Sequence, residues 1–303
     1  MVLIIKKAYI LLLISVILIV CSLVCFSIPF KPTLKQKNYT LSQSIPSEKV
    51  KIKIAIIDSG VDNTHKALKG KIKGEFNAIN PREQAIDELG HGTAVAGVIA
   101  AEDNDLELMG VSPDVELYSV KVLDNHGNGT VEDLIKGIEW SIENGMDIIN
   151  LSFGISKDKQ ILKDSIDKAI DNGIIIVSAA GNTYGGSVEY PAAYEKVISV
   201  TAVDRNNNIA PFASKGKVDF SAPGIDIPII TIKDGNSLNS GTSLAAPYIT
   251  GIVALILQNN KKFIVNPNKD THSQIYEHLK SLSKDLGIEG KDDIYGEGLV
   301  TIN

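Results

Sequence analysis

The fold expected for this chain is decided by residues Ile52–Gly60, with the sequence IKIAIIDSG. The first six residues are almost entirely apolar, which is typical of a strand that is buried on both faces of its sheet. The DSG that follows consists of residues that favour a turn and so ends the strand. Strands of this kind occur in parallel sheets whose two faces are covered by helices.

Strand and helix patterns alternate along the rest of the chain. Apolar runs predict further strands at Leu117–Leu123, Ile148–Leu151, Ile174–Ser178 and Val197–Val203. Helices are predicted over His91–Ala101, from a cap at Thr130 to Gly145, over 161–170 with a stop at Gly173, and from near Ser243 to Gln258. The alternation predicts an α/β fold with a mainly parallel central sheet between two helical layers. Ligands of such folds bind at the carboxyl ends of the strands.

The first 50 residues differ from the rest. Residues 8–30 carry no charge, follow two lysines, and as a helix are long enough to span a hydrocarbon core of ~30 Å. We predict an uncleaved transmembrane anchor over residues 1–30, with a cleaved signal helix ending near Ser27 and a lipoprotein modified at Cys21 as alternatives. Residues 31–50 are polar, contain Pro32 and Pro46, and are predicted to be a linker to a single domain over 51–303.

Charge and cysteine content exclude several classes of protein. Removing the five lysines of residues 1–47 from a net charge of −6 leaves −11 on the remaining residues. Such an acidic domain is not expected to bind nucleic acid, which requires a basic face. Both cysteines, Cys21 and Cys25, precede the domain, which therefore has no disulfide, cysteine-held zinc or cysteine nucleophile. The chain also lacks the glycine-rich motifs that bind nucleotides.

Four polar residues stand directly after predicted strands or at predicted helix starts: Asp58, His91, Asn182 and Ser243. Taken singly, each has an ordinary structural explanation as a turn residue, a core histidine or a helix N-cap. Together they stand in the order Asp, His, Ser, which is one of the known arrangements for nucleophilic serine chemistry. In that chemistry a carboxylate orients an imidazole base, and the base activates the serine hydroxyl.

The blocks around these residues resemble those of the subtilisin-like serine proteases, the subtilases. The blocks are Asp58–Asp62 (DSGVD), His91–Gly97 (HGTAVAG) and Gly241–Pro247 (GTSLAAP), and the resemblance runs from about Ile52 to Tyr295–Leu299 (YGEGL). The resemblance implies a three-layer αβα subtilisin-like fold and a serine-type endopeptidase.

The same resemblance implies a role for each of the four residues. Ser243 is expected to be the nucleophile, His91 the base, and Asp58 the carboxylate that orients His91. The side-chain amide of Asn182, together with the Ser243 backbone N–H, is expected to form the oxyanion hole. No cofactor is required for this chemistry.

The resemblance further implies where a peptide substrate binds. The backbones of Gly127-Asn128-Gly129 and Ser152-Phe153-Gly154 are expected to pair with an extended peptide, and two ordinary turns are the alternative. Aligning Tyr190-Pro191 with a Tyr-Pro pair of the family places Glu189 near the floor of the pocket for the residue before the cut. A buried carboxylate there would favour Arg or Lys, and an exposed loop glutamate is the alternative.

The resemblance also implies a site for a structural calcium ion, and this chain keeps only part of it. Residues 102–108 have the length of the family's calcium loop and place Asn104 at a ligand position, but Ala67 stands where a ligating carboxylate is usual. Because calcium takes ~6–8 oxygen ligands, we expect no strong site here. Compensation by Asp103, Asp105 or Glu107 is the alternative.

The function we predict is that of a monomeric processing protease, tethered to the cell membrane with its catalytic domain outside the cell and acting on a peptide or protein. Secreted subtilases generally carry a folding propeptide, for which residues 31–50 are too few, and this favours the processing role. A secreted enzyme of general degradation and a catalytically dead, peptide-binding scaffold are the alternatives.

Overall fold

A computed structural model describes residues 50–103, 108–259 and 271–302. The anchor predicted over 1–30 and nearly all of the linker predicted over 31–50 lie outside these residues, so both stay predictions. The described strands are β1 Lys53–Asp58, β2 Ile72–Asn77, β3 Glu102–Asp103, β4 Leu108–Met109, β5 Glu116–Lys121, β6 Ile148–Leu151, β7 Ile175–Ala179, β8 Ile198–Val203, β9 Phe220–Pro223, β10 Ile227–Thr231, β11 Gly235–Asn239, β12 Ser283–Lys284 and β13 Leu299–Val300. The described α-helices are α1 His91–Ala100, α2 Val131–Glu143, α3 Gln160–Asp171, α4 Thr242–Asn259 and α5 Thr271–Ser281.

Nine of these strands form one sheet in the order β12-β13-β9-β8-β7-β6-β1-β5-β2. Every neighbouring pair in it is parallel except β12 with β13. The chain adds β2 and β5 on one side of β1 before it adds β6 on the other side. The carboxyl end of β1 therefore lies at a topological switch point, where α/β folds form their binding crevice.

The two faces of the sheet are covered by separate hydrophobic cores. Successive side chains of a strand point to opposite faces, and β1 accordingly sends Ile54 and Ile56 into one core and Ala55 and Ile57 into the other. The first core is shared with α1, α4 and α5, and the second with α2 and α3. This arrangement confirms the predicted α/β fold with a mainly parallel central sheet.

The helix α4 illustrates how a buried helix can resemble a membrane span. Among the described residues it alone is long and apolar enough to cross a membrane, but 72% of its apolar window is buried inside the protein. Its residues Ala245, Ile249, Ile252 and Val253 belong to the first core. Burial of this extent is typical of a core helix.

The elements that the sequence does not predict lie mostly at the rim of the fold. The edge strand β2 is half-exposed and contains a register shift near Gly74, so its residues show no clean alternation. The antiparallel pair β10–β11 and the helix α5 also lack a predicted counterpart, and β11 is polar and largely exposed. The first predicted helix ends at Ala100 rather than Ala101, because Ala101 leaves the helical conformation with ψ 147°.

Candidate active site

The four candidate residues lie at the edge where the parallel strands end. Asp58 is the last residue of β1, and Asn182 follows the carboxyl end of β7. His91 is the first residue of α1, and Ser243 is the second residue of α4. Since the strands are parallel and both helices begin at this edge, residues from four distant parts of the sequence meet in one crevice.

Asp58 and His91 are in direct contact. The His91 Nδ1 atom lies 2.8 Å from Oδ1 and 2.9 Å from Oδ2 of Asp58, so the ring donates a hydrogen bond to the carboxylate. The Ser59 backbone N–H also donates to Asp58 Oδ1, at 2.8 Å. Asp58 is fully buried, and its negative charge is the main cause of a raised pKa of His91, although burial of the ring acts in the opposite direction.

A close approach between two backbones allows this contact. A Cβ atom placed on Gly92 would lie 2.0 Å from the Gly60 carbonyl oxygen, a distance that no side chain could occupy. The glycine after His91 therefore lets the start of α1 lie against the turn that follows β1.

Ser243 and Asn182 face a common space. A Cβ atom placed on Gly241 would lie 2.9 Å from the Ser243 Oγ atom and 3.7 Å from the Asn182 Nδ2 atom. The Asn182 Oδ1 atom accepts hydrogen bonds from the backbone N–H of Thr242 at 3.2 Å and from its hydroxyl at 3.1 Å. These bonds fix the orientation of the amide, and the Asn182 side chain lines a cavity.

A cavity of about 340 Å³ joins these residues. Its lining includes eight of the predicted site residues: His91, Gly127, Ser152, Phe153, Gly154, Asn182, Glu189 and Ser243. Asp58 lies behind His91, and Asn128 and Gly129 belong to the same exposed loop as Gly127 without lining the cavity. Within the described part of the chain, no hydrogen bond joins Ser243 to His91, and such bonds often tighten only when substrate binds.

The carboxylate of Glu189 lies between two backbone segments of the cavity wall. A Cβ atom placed on Gly154 would lie 2.6 Å from Glu189 Cβ, and one placed on Gly181 would lie 2.6 Å from Glu189 Oε2. The Glu189 backbone N–H donates to the Ala180 carbonyl at 3.0 Å. Partial burial of the side chain raises the pKa of Glu189.

The remaining lining residues of the cavity are not among those predicted from the sequence. They are Leu89, Leu123, Ala179, Gly181 and Thr242. Leu89 is 40% exposed, and no sequence signal distinguishes it, because single exposed apolar side chains are common on protein surfaces. Thr242 lies inside the serine block, and its contact with Asn182 depends on a loop 60 residues away.

The described residues of the expected calcium position do not fit a calcium ion. Ala67 is buried and offers no side-chain ligand, and the Asp103 carboxylate lies 3.2 Å from the Lys66 ammonium. Among the residues that the structure describes, no group of three or more His, Cys, Asp or Glu side chains is placed to hold a metal ion. Asn104, Asp105 and Glu107 lie outside the described residues.

Comparison with known proteins identifies several relatives of this chain. The chain is 39% identical over 251 residues to the Minor extracellular protease Epr of Bacillus subtilis (strain 168), an alignment that covers 82% of this chain and 37% of that protein. It is 37% identical over 256 residues to Subtilisin DY of Bacillus licheniformis, covering 83% and 89% of the two chains. It is 37% identical over 250 residues to Subtilisin Savinase of Lederbergia lenta, covering 82% and 88%.

The chain thus spans little more than a third of the first relative and nearly nine-tenths of the other two. The family model described as the Subtilase family matches residues 49–298, which include every strand and helix described above except β13. The chain therefore belongs to the subtilase family of subtilisin-like serine endopeptidases.

Proposed function

We propose that this domain hydrolyses peptide bonds with Ser243 as the nucleophile, His91 as the general base and Asp58 as the carboxylate that orients His91. The observation that carries the proposal is the contact of His91 Nδ1 with the buried Asp58, on a ring that lines the same cavity as Ser243. With Nδ1 donating to Asp58, the Nε2 atom is free of a proton in the neutral ring. It is therefore the atom that can accept the serine proton.

The reaction follows from this placement of groups. Ser243 Oγ attacks the carbonyl carbon of the scissile bond while its proton passes to His91, and Asp58 stabilises the imidazolium that forms. The proton is then delivered to the leaving amine, and the C–N bond breaks. A water molecule then attacks the acyl-serine while its proton passes to His91. His91 returns this proton to Ser243 Oγ, which releases the acid product and restores the hydroxyl.

The negative charge on the carbonyl oxygen requires hydrogen-bond donors. The Asn182 amide, braced by Thr242 through its oxygen, and the Ser243 backbone N–H are the donors we propose. The chain segments 127–129 and 152–154 are proposed to bind the peptide backbone as added strands, because Gly127 and all three residues of the second segment line the cavity.

The catalytic proposal is tested by replacing Ser243. We expect Ser243→Ala to lower the hydrolysis of a protein substrate such as casein by about 10⁶-fold, and we expect it to lose labelling by a fluorophosphonate probe. Ser281→Ala is the matched control, because Ser281 is exposed and its hydroxyl donates only to the His278 carbonyl of its own helix. Retained activity in Ser243→Ala would contradict the assignment of Ser243 as the nucleophile, whereas a wild-type protein that is inactive and unlabelled would favour the scaffold alternative.

The proposed preference is for Arg or Lys before the cleaved bond. Its support is the Glu189 carboxylate in the cavity wall, where a cationic side chain would satisfy a partly buried negative charge. The net charge of −11 on residues 48–303 would attract basic peptides in the same sense. A matched series of fluorogenic peptides that differ only at this position tests the preference, and faster cleavage after Phe or Leu than after Arg would overturn it.

The cellular role we propose is that of a monomeric processing protease anchored by residues 1–30, with its catalytic domain outside the cell. The name of one relative, the Minor extracellular protease Epr, describes an extracellular protease, which supports the outside location and is equally compatible with a secreted, degradative enzyme. Fractionation of cells that express the full chain, with mass spectrometry of its N-terminus, separates the two roles. An intact N-terminus in the membrane fraction supports the anchor, and a shortened chain in the medium supports the alternative.

A further inference from the structure

Asp87 is a buried carboxylate at the edge of the candidate site that belongs to none of the three sequence blocks. Its side chain accepts five hydrogen bonds and the residue is 5% exposed. Oδ1 accepts from Ser59 Oγ at 2.9 Å, Leu89 N at 3.1 Å and Gly90 N at 2.7 Å. Oδ2 accepts from Thr93 N at 2.9 Å and from Thr93 Oγ1 at 2.6 Å. So dense a set of donors holds this buried carboxylate in one position.

Asp87 provides the cap that the first turn of α1 otherwise lacks. The N-cap residue, Gly90, has φ 89° and no side chain to bind the free N–H groups of the first turn. The Asp87 carboxylate binds the N–H groups of Gly90 and Thr93 instead, and its negative charge is favourable at a helix N-terminus. Because His91 is the first residue of α1, the cap fixes the backbone from which the imidazole projects.

The same carboxylate is linked to the turn that follows Asp58. Ser59 Oγ donates to Asp87 and accepts from the Gly92 N–H at 3.0 Å, so one hydroxyl connects the turn to the helix start. Thr93 Oγ1 donates to Asp87 and accepts from the Asp62 N–H at 2.9 Å, which makes the same connection from the helix side. Both hydroxyl groups are fully buried, so solvent does not compete for these bonds.

We infer that Asp87 is a positioning residue for His91, because its carboxylate holds the turn that carries Asp58 and the helix start that carries His91 in one arrangement. The inference rests on the proposed serine protease function. Asp87 acts through the residues it binds and does not line the cavity. Its loss is expected to displace the imidazole from its working position, and displacements of about 1 Å can cost 10²-fold in rate.

The pKa of His91, measured as the acidic limb of kcat/KM, is a property that a purely structural role of Asp87 would not change. Three carboxylates face the surroundings of His91: Asp58 in direct contact, Asp87 behind the helix start, and Glu189 in the cavity. One ammonium lies nearby, that of Lys121, which donates to the carbonyls of Ser59 and Ile86. The Glu88 carboxylate lies 3.6 Å from this ammonium. After Asp58, the negative charge of Asp87 also raises the pKa of His91. A neutral residue at 87 should therefore lower that pKa, and the acidic limb of kcat/KM should move to lower pH.

The experiment compares Asp87→Asn with the wild-type enzyme, with rates normalised to the fraction of sites titrated by a fluorophosphonate. We expect kcat to fall by about 10- to 100-fold, with a much smaller change in KM, and we expect the acidic limb to move to lower pH. Asp204→Asn is the matched control, since Asp204 accepts hydrogen bonds from Asn206 and Asn208 in an exposed turn outside the site. A fully titratable Asp87→Asn enzyme with wild-type kcat and an unmoved acidic limb would overturn the inference.

A second pair of variants decides the matter if Asp87→Asn does not fold. Thr93→Val removes the hydroxyl that donates to Asp87, and Thr93→Ser retains it. We expect kcat to fall in the valine variant and to be restored in the serine variant, and equal wild-type rates in both would overturn the inference. A wild-type enzyme that is not labelled by the probe would instead refute the proposed function, so the two failures are distinguishable.

Discussion

The Nδ1 atom of His91 lies 2.8 Å from Oδ1 and 2.9 Å from Oδ2 of Asp58, a carboxylate that is fully buried. The contact has two consequences for the base. It selects the tautomer with the proton on Nδ1, and it stabilises the protonated ring, which raises the pKa of His91. Since only the neutral imidazole can accept the Ser243 proton, we expect kcat/KM to rise with pH through this raised pKa.

Asp58→Asn tests both consequences. An amide at this position can present its N–H to His91 and so favour the wrong tautomer, and we expect kcat to fall by about 10⁴-fold, as in other triad hydrolases. The residual activity should have its acidic limb at lower pH, because the charge that stabilises the imidazolium is gone. The measurement is a pH profile of kcat/KM after active-site titration. A residual activity with an unshifted acidic limb would mean that Asp58 does not control the titration of His91.

We expect Asn182 to contribute to catalysis through its amide N–H groups rather than through the hydrogen bonds that its oxygen accepts from Thr242. Asn182→Ala should lower kcat by about 10²–10³-fold with little change in KM, the loss known for the equivalent asparagine of a family member. Asn182→Asp separates the two contributions, because it keeps an oxygen that can accept from Thr242 and loses the amide donor. Steady-state kinetics on one peptide substrate provide the measurement. If the aspartate variant retained the wild-type kcat, another group would have to bind the oxyanion.

The proposed role of Glu189 predicts a pH-dependent specificity. Burial raises the pKa of Glu189, and only its ionised form attracts a cationic side chain. As the pH falls through that raised pKa, the ratio of kcat/KM for an Arg substrate to that for a matched Phe substrate should fall. Titration of His91 affects both substrates alike and therefore cancels in the ratio.

Glu189→Gln provides the control for this prediction. It has nearly the same shape between Gly154 and Gly181 and carries no charge. We expect the ratio of the two rates to become small and independent of pH in this variant. A pH-dependent ratio that persists in Glu189→Gln would assign the specificity to another group.

Most buried elements of the fold are predictable from the sequence because each carries one clear local pattern. The exception is β9, a buried strand of the sheet whose short sequence FSAP contains no apolar run. The sequence predicts β6 at its observed bounds, Ile148–Leu151, because its residues form a short apolar run. The strand is fully buried, and its one polar residue has buried hydrogen-bond partners. That residue is Asn150, whose side chain binds Ser152 and Thr250. The cap predicted at Thr130 is also present, with its hydroxyl accepting from the Asp133 N–H at 3.0 Å.

The rest of the molecule depends on contacts that no local pattern encodes. The strand β11 has the polar sequence GNSLN and exists because it pairs with β10. The Asp87 network likewise combines donors from the turn after β1, the loop before α1 and the helix itself. The sequence blocks identify His91 and Asp58 as catalytic candidates. The role of Asp87, which binds both the turn after Asp58 and the start of the helix that carries His91, becomes evident only from the folded structure.

The region around Ala67 and Asp103 is where the family resemblance implies a calcium ion. The buried Asp103 carboxylate lies 3.2 Å from the Lys66 ammonium, so a side-chain cation balances the charge of this carboxylate. We therefore expect an excess of EDTA to leave the unfolding temperature nearly unchanged. Lys66→Gln should lower the free energy of unfolding by about 1 kcal/mol, a modest loss because the Lys66 side chain is half-exposed.

Lys163→Gln is the matched control, because it removes an ion pair between two half-exposed side chains, Lys163 and Asp167, whereas the partner of Lys66 is buried. It should change the unfolding temperature little. Differential scanning calorimetry of the three proteins with and without EDTA makes the comparison. A large fall of the wild-type unfolding temperature in EDTA, reversed by added calcium, would show that a metal site stabilises the domain. In that case Lys66→Gln, which removes a competing cation, should bind calcium more tightly than the wild-type protein.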